Sequence, residues 1–320
     1  MSQFASSADI VVRPLREADL DLADQVLRLA FGTFLGAPDP ARFMGDVAYV
    51  RPRWRSDPGA AFAAEIGGVL VGSNFAANWG SVGYFGPLTV RPDLWDRGIA
   101  SRLMAPVLER FAAWGTRQAG LFTFPHSPKH LSLYQKFGFW PRSLTPIMSR
   151  SVRAAGGTAG WSRFSDVPRA EQAAMLVQCR ELTTAVYEGL DLTREIAAVE
   201  AHRLGESVLV WDGGRLVALA VCHYGAGTEG GSGACYVKFG AARPGPRAGE
   251  HFGQLLDACE ALAARERLPR LVAGVSTARH EAYRQMLGRG FRADRLGVAM
   301  HRGNDAGYHR AGVFAVDDWR

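Results

Sequence analysis

The sequence predicts an α/β (α+β) fold in which two similar mixed-sheet sandwich domains follow one another along the chain. Segments with the apolar period of strands alternate with segments of helical period, which is typical of helices packed against a sheet. Three landmarks then recur at a spacing of about 150 residues, which indicates two copies of one fold. The length of 320 residues also suits about two domains of roughly 100–200 residues each.

The recurring landmarks are a hairpin with a Gly-Gly turn, a loop with Pro, Gly and Arg that opens a helix, and a short helix that ends in Gly-Phe. They are Gly67-Gly68 and Gly213-Gly214, the loops 92–100 and 244–251, and Gly138-Phe139 and Gly290-Phe291. Residues 151–160 are rich in Gly, Ala, Ser and Thr and are predicted to be a linker. The predicted domains are therefore residues 1–150 and 161–320.

Local signals predict the elements of the first copy in order. The predicted strands are residues 10–13, 61–65, 69–76, 82–90, 118–124 and 142–150. The predicted helices are residues 19–31, which Gly32 is expected to end, a helix from Ile99 with one apolar face, and a helix from Ser127-Pro128 to Gly138. Residues 34–57 are ambiguous, with room for a short helix. The dipeptide Gly86-Pro87 predicts a bulge that separates its strand from the neighbouring one.

The composition limits the functions that the chain can have. The net charge is +6, from 37 basic and 31 acidic residues, and there is no dense Lys/Arg tract. A nucleic-acid surface is therefore not expected, and a polyanionic small ligand explains the excess equally well. No stretch approaches the ~20 apolar residues of a membrane span. Residues 1–5 do not resemble a secretory signal, so a cytoplasmic protein is expected.

The cysteines point to a reducing compartment. Cys179, Cys222, Cys235 and Cys259 form no CxxC pair and lie in apolar or mixed surroundings. Buried, reduced thiols are the expectation. No zinc-binding spacing is present and the histidines are scattered, so no metal site is predicted.

A strand, a short loop and a helix follow one another between Gly86 and Ala100. The start of such a helix leaves backbone N–H groups free and carries the positive end of the helix dipole, so it can bind an anion. Gly98 and Ala100 would let a diphosphate approach the backbone, and Arg97 and Arg102 would add positive charge. A strand that separates from its neighbour would also leave backbone groups free for an extended amide ligand. From these features alone, an ordinary strand-to-helix turn is at least as well supported as a phosphate site.

Two motifs carry a specific resemblance. Trp95-Asp96-Arg97-Gly98-Ile99-Ala100 resembles the coenzyme-A loop of the GNAT (GCN5-related N-acetyltransferase) family, Gln/Arg-x-x-Gly-x-Gly/Ala, with Trp in place of the first Gln or Arg. The segment Leu133-Tyr134-Gln135-Lys136-Phe137-Gly138-Phe139 resembles the Leu-Tyr-x-Lys-x-Gly-Phe end of the same family. The resemblance covers about residues 10–150 and implies a tandem of two GNAT-like domains, with residues 1–150 as the catalytic, acyl-CoA-binding one.

The resemblance implies an N-acetyltransferase that transfers an acetyl or other acyl group from acetyl-CoA to a primary amine, expected to be a small molecule. Tyr134 would protonate the departing thiolate, because a neutral phenol can donate to sulfur. Backbone N–H near Leu88 would stabilise the oxyanion. The residues implied in cofactor binding are Leu88, Thr89 and Val90 for the pantetheine arm and Asp96, Arg97, Gly98, Ile99 and Ala100 for the pyrophosphate. A non-catalytic acyl-CoA-binding regulatory protein is the alternative function.

The general base and the acceptor pocket are less defined. Glu65, His126 and a water relay stay open as the base. Large apolar side chains between residues 31 and 54 are where an acceptor pocket would form. Local packing is the expected role, with a pocket for an apolar or heterocyclic amine as the alternative. These side chains are Phe31, Phe34, Leu35, Phe43, Met44, Tyr49 and Trp54. Arg51, Arg53 and Arg55 are expected on a solvated face, with contact to an acidic substrate or to a coenzyme-A phosphate as the alternative.

Residues 161–320 are expected to form a degenerate copy with a structural role. Glu250 and His251 replace the small residues of the loop, and Glu250 would repel phosphate. Met286 stands at the position that matches Tyr134 and cannot donate a proton. A tail strand is expected over residues 312–316. Because tandem copies can imitate the dimer of single-copy relatives, a monomer with pseudo-two-fold domains or a homodimer is expected.

Overall fold

The computed structural model describes residues 10–153 and 160–320, which share one 14-stranded mixed sheet. The elements of the first half are β1 (Ile10–Pro14), α1 (Leu20–Phe34), α2 (Val50–Ser56), β2 (Ala61–Ile66), β3 (Val69–Trp79), β4 (Val82–Phe85), β5 (Thr89–Val90), α3 (Ile99–Ala113), β6 (Gln118–Thr123), α4 (Pro128–Gln135) and β7 (Phe139–Ser151). Those of the second half are β8 (Trp161–Arg163), α5 (Gln172–Val186), α6 (Thr193–His202), β9 (Gly205–Asp212), β10 (Arg215–Gly225), β11 (Gly231–Ala242), α7 (Ala248–Arg265), β12 (Arg270–Gly274), α8 (His280–Gly288), β13 (Arg292–Arg302) and β14 (Ala315–Asp317).

The two halves have the same order of strands and helices, apart from the split into β4 and β5 and the added β14. The strand order is β1-β2-β3-β4-β6-β13-β7-β12-β11-β10-β9-β8, with β5 beside β3 and β14 beside β11. The predicted tandem of two mixed-sheet domains is therefore confirmed as a fold.

The halves exchange their last long strands. β7 of the first half pairs with β12 of the second half, and β13 of the second half pairs with β6 of the first. β7 and β13 also pair with each other, from Arg292 opposite Ser149 to Arg302 opposite Phe139. Each half-sheet is thus completed by a strand of the other half.

Helix α3 shows how local pattern determines packing. Ile99, Leu103, Val107 and Phe111 recur at helical spacing and are all buried, as predicted. Each such side chain contributes about 1.5–3 kcal/mol through removal of its surface from water. The packed face orients the helix so that its first turn lies at the end of β5. The local pattern therefore places the start of α3 beside the separated strands.

The prediction that Gly32 ends the first helix is wrong, since α1 continues to Phe34. A Cβ on residue 32 would lie 2.5 Å from the Cα of Pro40. The glycine is needed because the following loop packs directly against the helix backbone.

The predicted strand 82–90 is two strands, β4 and β5, interrupted at Gly86-Pro87-Leu88. Pro87 has no N–H to donate to a ladder. β4 pairs with the parallel strand β6 only from Val82 to Tyr84, opposite Gln118 to Gly120. The predicted separation from the neighbouring strand is present, although the continuous strand is not.

The structure also shows where several smaller predicted features lie. The short helix within residues 34–57 is α2, and the tail strand is β14. The four cysteines are free and buried. Residues 1–9, and residues 154–159 of the predicted linker, lie outside the described residues. Over residues 10–153 and 160–320, no helix is both long and apolar enough to cross a bilayer.

Candidate active site

The gap between the separated strands opens into a cleft of about 530 Å³. Pairing between β4 and β6 ends at Tyr84 and Gly120, and β5 pairs with β3 instead. In the described part of the chain, no strand covers the edge of residues 86–90 that faces β6. Backbone N–H and C=O groups on this edge can therefore pair with an extended ligand.

Alternate residues of β6 point to opposite faces of the sheet, so the cleft has two sides. On one face, Thr123 forms a hydrogen bond with Tyr134 of α4. On the other face lie the rings of Phe122 and Trp319. A Cβ on residue 120 would come within 2.0 Å of the Trp319 ring, so only Gly120 leaves room for the indole. We call these the α4 side and the Trp319 side.

Tyr134 lines the α4 side and is 8 % exposed. Its ring packs edge-on against Phe85, with the ring centres 5.7 Å apart. Burial raises the pKa of Tyr134 well above its usual range, so the phenol stays protonated at neutral pH. A neutral phenol in a cleft can donate a proton to a leaving group.

The start of α3 forms one end of the cleft. Gly98 caps the helix with a φ of 78°, and the first helical turn leaves backbone N–H groups without intrahelical partners. Lys129 Nζ lies 2.7 Å from Asp96 Oδ1 and above the ring of Trp95. Trp95 Nε1 donates to the carbonyl oxygen of Val90 at 2.8 Å. Trp95 therefore holds the loop in place. Because the first turn of α3 has free backbone N–H groups, this end of the cleft can bind an anion.

The structure brings together most of the residues that the motifs singled out. Leu88, Thr89, Val90, Asp96, Gly98, Ile99 and Ala100 line the cleft together with Tyr134. Arg97 is exposed and does not line the cleft.

Residues 25–139 match the model of the acetyltransferase (GNAT) family. These residues form a GNAT domain. The match spans the separated strands, the start of α3 and Tyr134. No curated protein sequence matches the chain.

Solved structures extend the likeness from the GNAT domain to both halves. A proposed acetyltransferase of Pyrococcus horikoshii has a TM-score of 0.69 at 13% identity, over 97% of this chain and 95% of its own. A GCN5-related N-acetyltransferase of Sphaerobacter thermophilus has a TM-score of 0.59 at 15% identity, over 91% of this chain and 95% of its own. Saccharomyces cerevisiae N-myristoyltransferase, solved with myristoyl-CoA, has a TM-score of 0.62 at 11% identity, over 92% of this chain and 78% of its own. At these identities the likeness shows a shared fold.

Large apolar side chains line the GNAT domain's cleft. Phe31, Phe34, Phe43, Met44 and Tyr49 do so, in keeping with the acceptor-pocket alternative. Leu35 and Trp54 do not, and Trp54 Nε1 instead donates to the carbonyl oxygen of Leu15 at 2.9 Å. The lining residues that sequence reasoning missed include Ile147, Arg295, Trp319 and Arg320. Ile147 and Arg295 reach the cleft through the strand exchange, Trp319 and Arg320 follow β14, and no local signal marks them.

Glu65 and His126, the two side chains predicted as candidate bases, both lie outside the lining of the cleft. Glu65 lies outside the cleft in an ion pair with Arg13, and the hydrogen bond from Arg13 holds the pKa of this carboxyl below its usual range. His126 is exposed and stacks on Phe34, with 5.9 Å between ring centres, but it does not line the cleft. Neither side chain therefore faces the interior of the cleft.

His130 lines the cleft one helical turn before Tyr134, a position that sequence reasoning did not consider for a base. Its Nδ1 is buried and has no hydrogen-bond partner among the described residues. Burial first, and then the charges of Lys129 and His126, lower the pKa of His130. The imidazole is thus neutral at neutral pH and able to accept a proton. The i, i+4 spacing to Tyr134 was the signal that could have identified it.

The expectation of a solvated Arg53 is wrong. Arg53 is buried, and its Nε donates to Glu229 Oε1 of the second half at 2.9 Å. It also donates to the carbonyl oxygens of Gly86 and Arg320. The turn of α2 points Arg53 inward, where it ties the GNAT domain's open strand edge to the second half. Arg51 pairs with Asp21 near the surface, and Arg55 is exposed.

The matching place in the second half is filled. β11 pairs with the parallel strand β12 over residues 235–237 and then with β14 over residues 239–241. β14 therefore occupies the strand edge that corresponds to the open edge 86–90. α8 presents the buried Met286 where α4 presents Tyr134, and Glu250 in the first turn of α7 pairs with Arg247.

Proposed function

We propose that the chain is an acyl-CoA-dependent N-acetyltransferase whose GNAT domain transfers an acetyl group from acetyl-CoA to a primary amine of a small molecule. The open strand edge of residues 86–90, which leads from the start of α3 towards the phenol of Tyr134, carries this proposal. A pantetheine arm is an extended diamide and fits such an edge, and a diphosphate fits a helix start capped by Gly98. Because β14 fills the corresponding edge of the second half, we assign the chemistry to the first half alone.

Different backbone and side-chain groups of the cleft act at different steps of the reaction. The amine attacks the thioester carbonyl, and backbone N–H near Leu88 stabilises the charge on its oxygen. When the C–S bond breaks, Tyr134 donates its proton to the sulfur, and the proton that the attacking nitrogen loses in forming the amide returns to the Tyr134 oxygen. Burial keeps the phenol protonated until then, and Thr123 holds its hydroxyl group.

We assign the removal of the ammonium proton to His130, directly or through one water. The described residues that line the cleft offer no other neutral base near this position. Asp96 is held by Lys129, and burial raises the pKa values of Tyr49 and Tyr134. Among the described lining residues, the remaining ionisable side chains are those of Lys and Arg, which are cations.

His130→Gln is expected to lower turnover by at least ~10²-fold and to remove the acid limb of the kcat–pH profile. In the unchanged protein this limb should lie below the ordinary histidine pKa of ~6.5, because burial and Lys129 lower the pKa of His130. His130 therefore stays neutral, and able to accept a proton, until the pH falls to its lowered pKa. His126→Gln is the matched control and should retain the limb. An unaltered limb in His130→Gln would show that water takes the proton.

Release of free thiol from acetyl-CoA in the presence of a panel of primary amines tests the activity itself. Amine-dependent release is the expected result. Saturable binding of acetyl-CoA with no release for any amine would favour a non-catalytic acyl-CoA-binding regulatory protein instead. A cytoplasmic location stays a prediction, in keeping with the four free cysteines.

Gly98→Glu is expected to abolish binding of coenzyme A in isothermal titration. The φ of 78° is strained for glutamate, and the space around a Cβ at this position is open, so the carboxylate would enter the phosphate site. Gly214→Glu is a matched control, since Gly214 also has a φ of 78° with nothing within 4 Å, in the second half. It should bind coenzyme A normally. Unchanged affinity in Gly98→Glu would disprove the phosphate site.

A further inference from the structure

The charged side chains on the Trp319 side of the cleft are positive. Arg295 of β13 and Arg320 line the cleft. Arg295 lies opposite Ile147 of β7, and Ile147 packs with Phe122, whose ring lies on the Trp319 side. Directly opposed residues of an antiparallel pair have their side chains on one face. The guanidinium of Arg295 therefore belongs to the Trp319 side.

Arg295 is a cation without a partner among the described residues. Its side chain is exposed and makes no hydrogen bond or ion pair with another described residue. Arg320 is engaged, with its guanidinium 3.9 Å from the ring centre of Tyr236 and its Nε 3.5 Å from Asp318 Oδ2. All of the guanidinium N–H groups of Arg295 can therefore bind a ligand. Arg320 already contacts Tyr236 and Asp318, so it mainly forms part of the cleft wall.

A second ammonium group in the acceptor would need a carboxylate side chain. Of the described residues that line the cleft, Asp96 alone has one, and it lies at the α3 end in its ion pair with Lys129. The second ammonium group of a polyamine acceptor would lie unpaired beside two guanidinium groups, and this disfavours binding of a polyamine.

The apolar walls of the cleft are held in place. Phe31, Phe34, Met44 and Tyr49 line the cleft. Trp319 stacks on the buried ring of Tyr84 at an interplanar angle of 7°. Such walls bury a flat or branched apolar body, while a polar group at one end sets its orientation.

We propose that Arg295 binds an acidic group of the acceptor, so that the acceptor is a small amine with an apolar or aromatic body and a carboxylate, of the amino-acid class. This inference rests on the acetyl transfer proposed above. The planar guanidinium can form two parallel hydrogen bonds to a carboxylate, which orients the acceptor as well as binding it. Arg295 is then a specificity-determining residue that the second half contributes to the first.

Paired acceptors that differ only in the acid test this proposal, with acetyl-CoA as the sole donor so that the negative charge can come only from the acceptor. One pair is phenylalanine and phenethylamine, with the acid beside the amine. The other is 4-(aminomethyl)benzoate and benzylamine, with the acid at the far end. At least one acid should exceed its neutral partner by about tenfold or more in kcat/KM, as expected for a charge-assisted hydrogen bond.

Arg295→Ala should reduce that preference to about one, because kcat/KM for the acid falls more than kcat/KM for the neutral amine, and Arg295→Lys should restore the preference in part. Arg302→Ala is the matched control, because Arg302 is an exposed arginine on the same strand that does not line the cleft. Thiol release with equal preference for acid and neutral partners, or a preference that survives in Arg295→Ala, would overturn the inference alone. Absence of release with every amine would overturn the proposed function and this inference with it.

Discussion

Tyr134→Phe is expected to lower turnover by about 10²–10⁴-fold, the usual contribution of a general acid. The substitution keeps the ring that packs against Phe85 and removes only the hydroxyl group that bonds to Thr123. Affinity for acetyl-CoA should change little, so the loss should appear in kcat and not in binding. Steady-state kinetics at saturating substrates, with isothermal titration of acetyl-CoA, measure the two effects separately.

Met286→Leu provides the control for this substitution. Met286 occupies the matching helix position of the second half and is fully buried, and no chemistry is assigned to it. The turnover of the Met286→Leu variant should stay close to that of the unchanged protein. If Tyr134→Phe remains within about threefold of the unchanged protein while chemistry limits the rate, another group or water supplies the proton.

Neither half is expected to fold when residues 1–150 and 161–320 are produced as separate chains. Without β13, strand β6 loses a partner, and the core of the first half loses the buried side chains of Val298 and Met300. Without β7, the core of the second half loses Met148. Each such side chain is worth about 1.5–3 kcal/mol, so two or three of them, with the lost ladders, approach a typical total stability of about 5–15 kcal/mol.

Circular dichroism and size-exclusion chromatography of the two fragments measure this effect. A full chain cut at a protease site inserted between residues 153 and 160 is the control. It should stay assembled and active, because the exchanged strands still pair across the cut. A fragment of residues 1–150 that is folded, monomeric and fully active would show that the exchange is dispensable.

Local patterns predicted the elements that depend on nearby residues. The buried face of α3 follows from apolar residues three and four apart, and the cap of α4 follows from Ser127, whose hydroxyl accepts from the backbone N–H of His130 at 3.3 Å. Gly32 was misread because its role depends on Pro40, which lies beyond the helix. Arg53 was misread because its partner Glu229 is far along the chain.

By itself, the sequence determined the repeated order of strands and helices, the separation of neighbouring strands at Gly86-Pro87, and the combination of a glycine-capped helix start with a tyrosine helix. These depend on turn chemistry and periodicity within a few residues. Only the tertiary structure decided that β7 and β13 change places, that β14 closes the second half, and that Arg295 and Trp319 line the first half's cleft. Those strand pairings join backbone groups that are far apart in the sequence, and they depend on main-chain N–H and C=O groups that every residue other than proline carries.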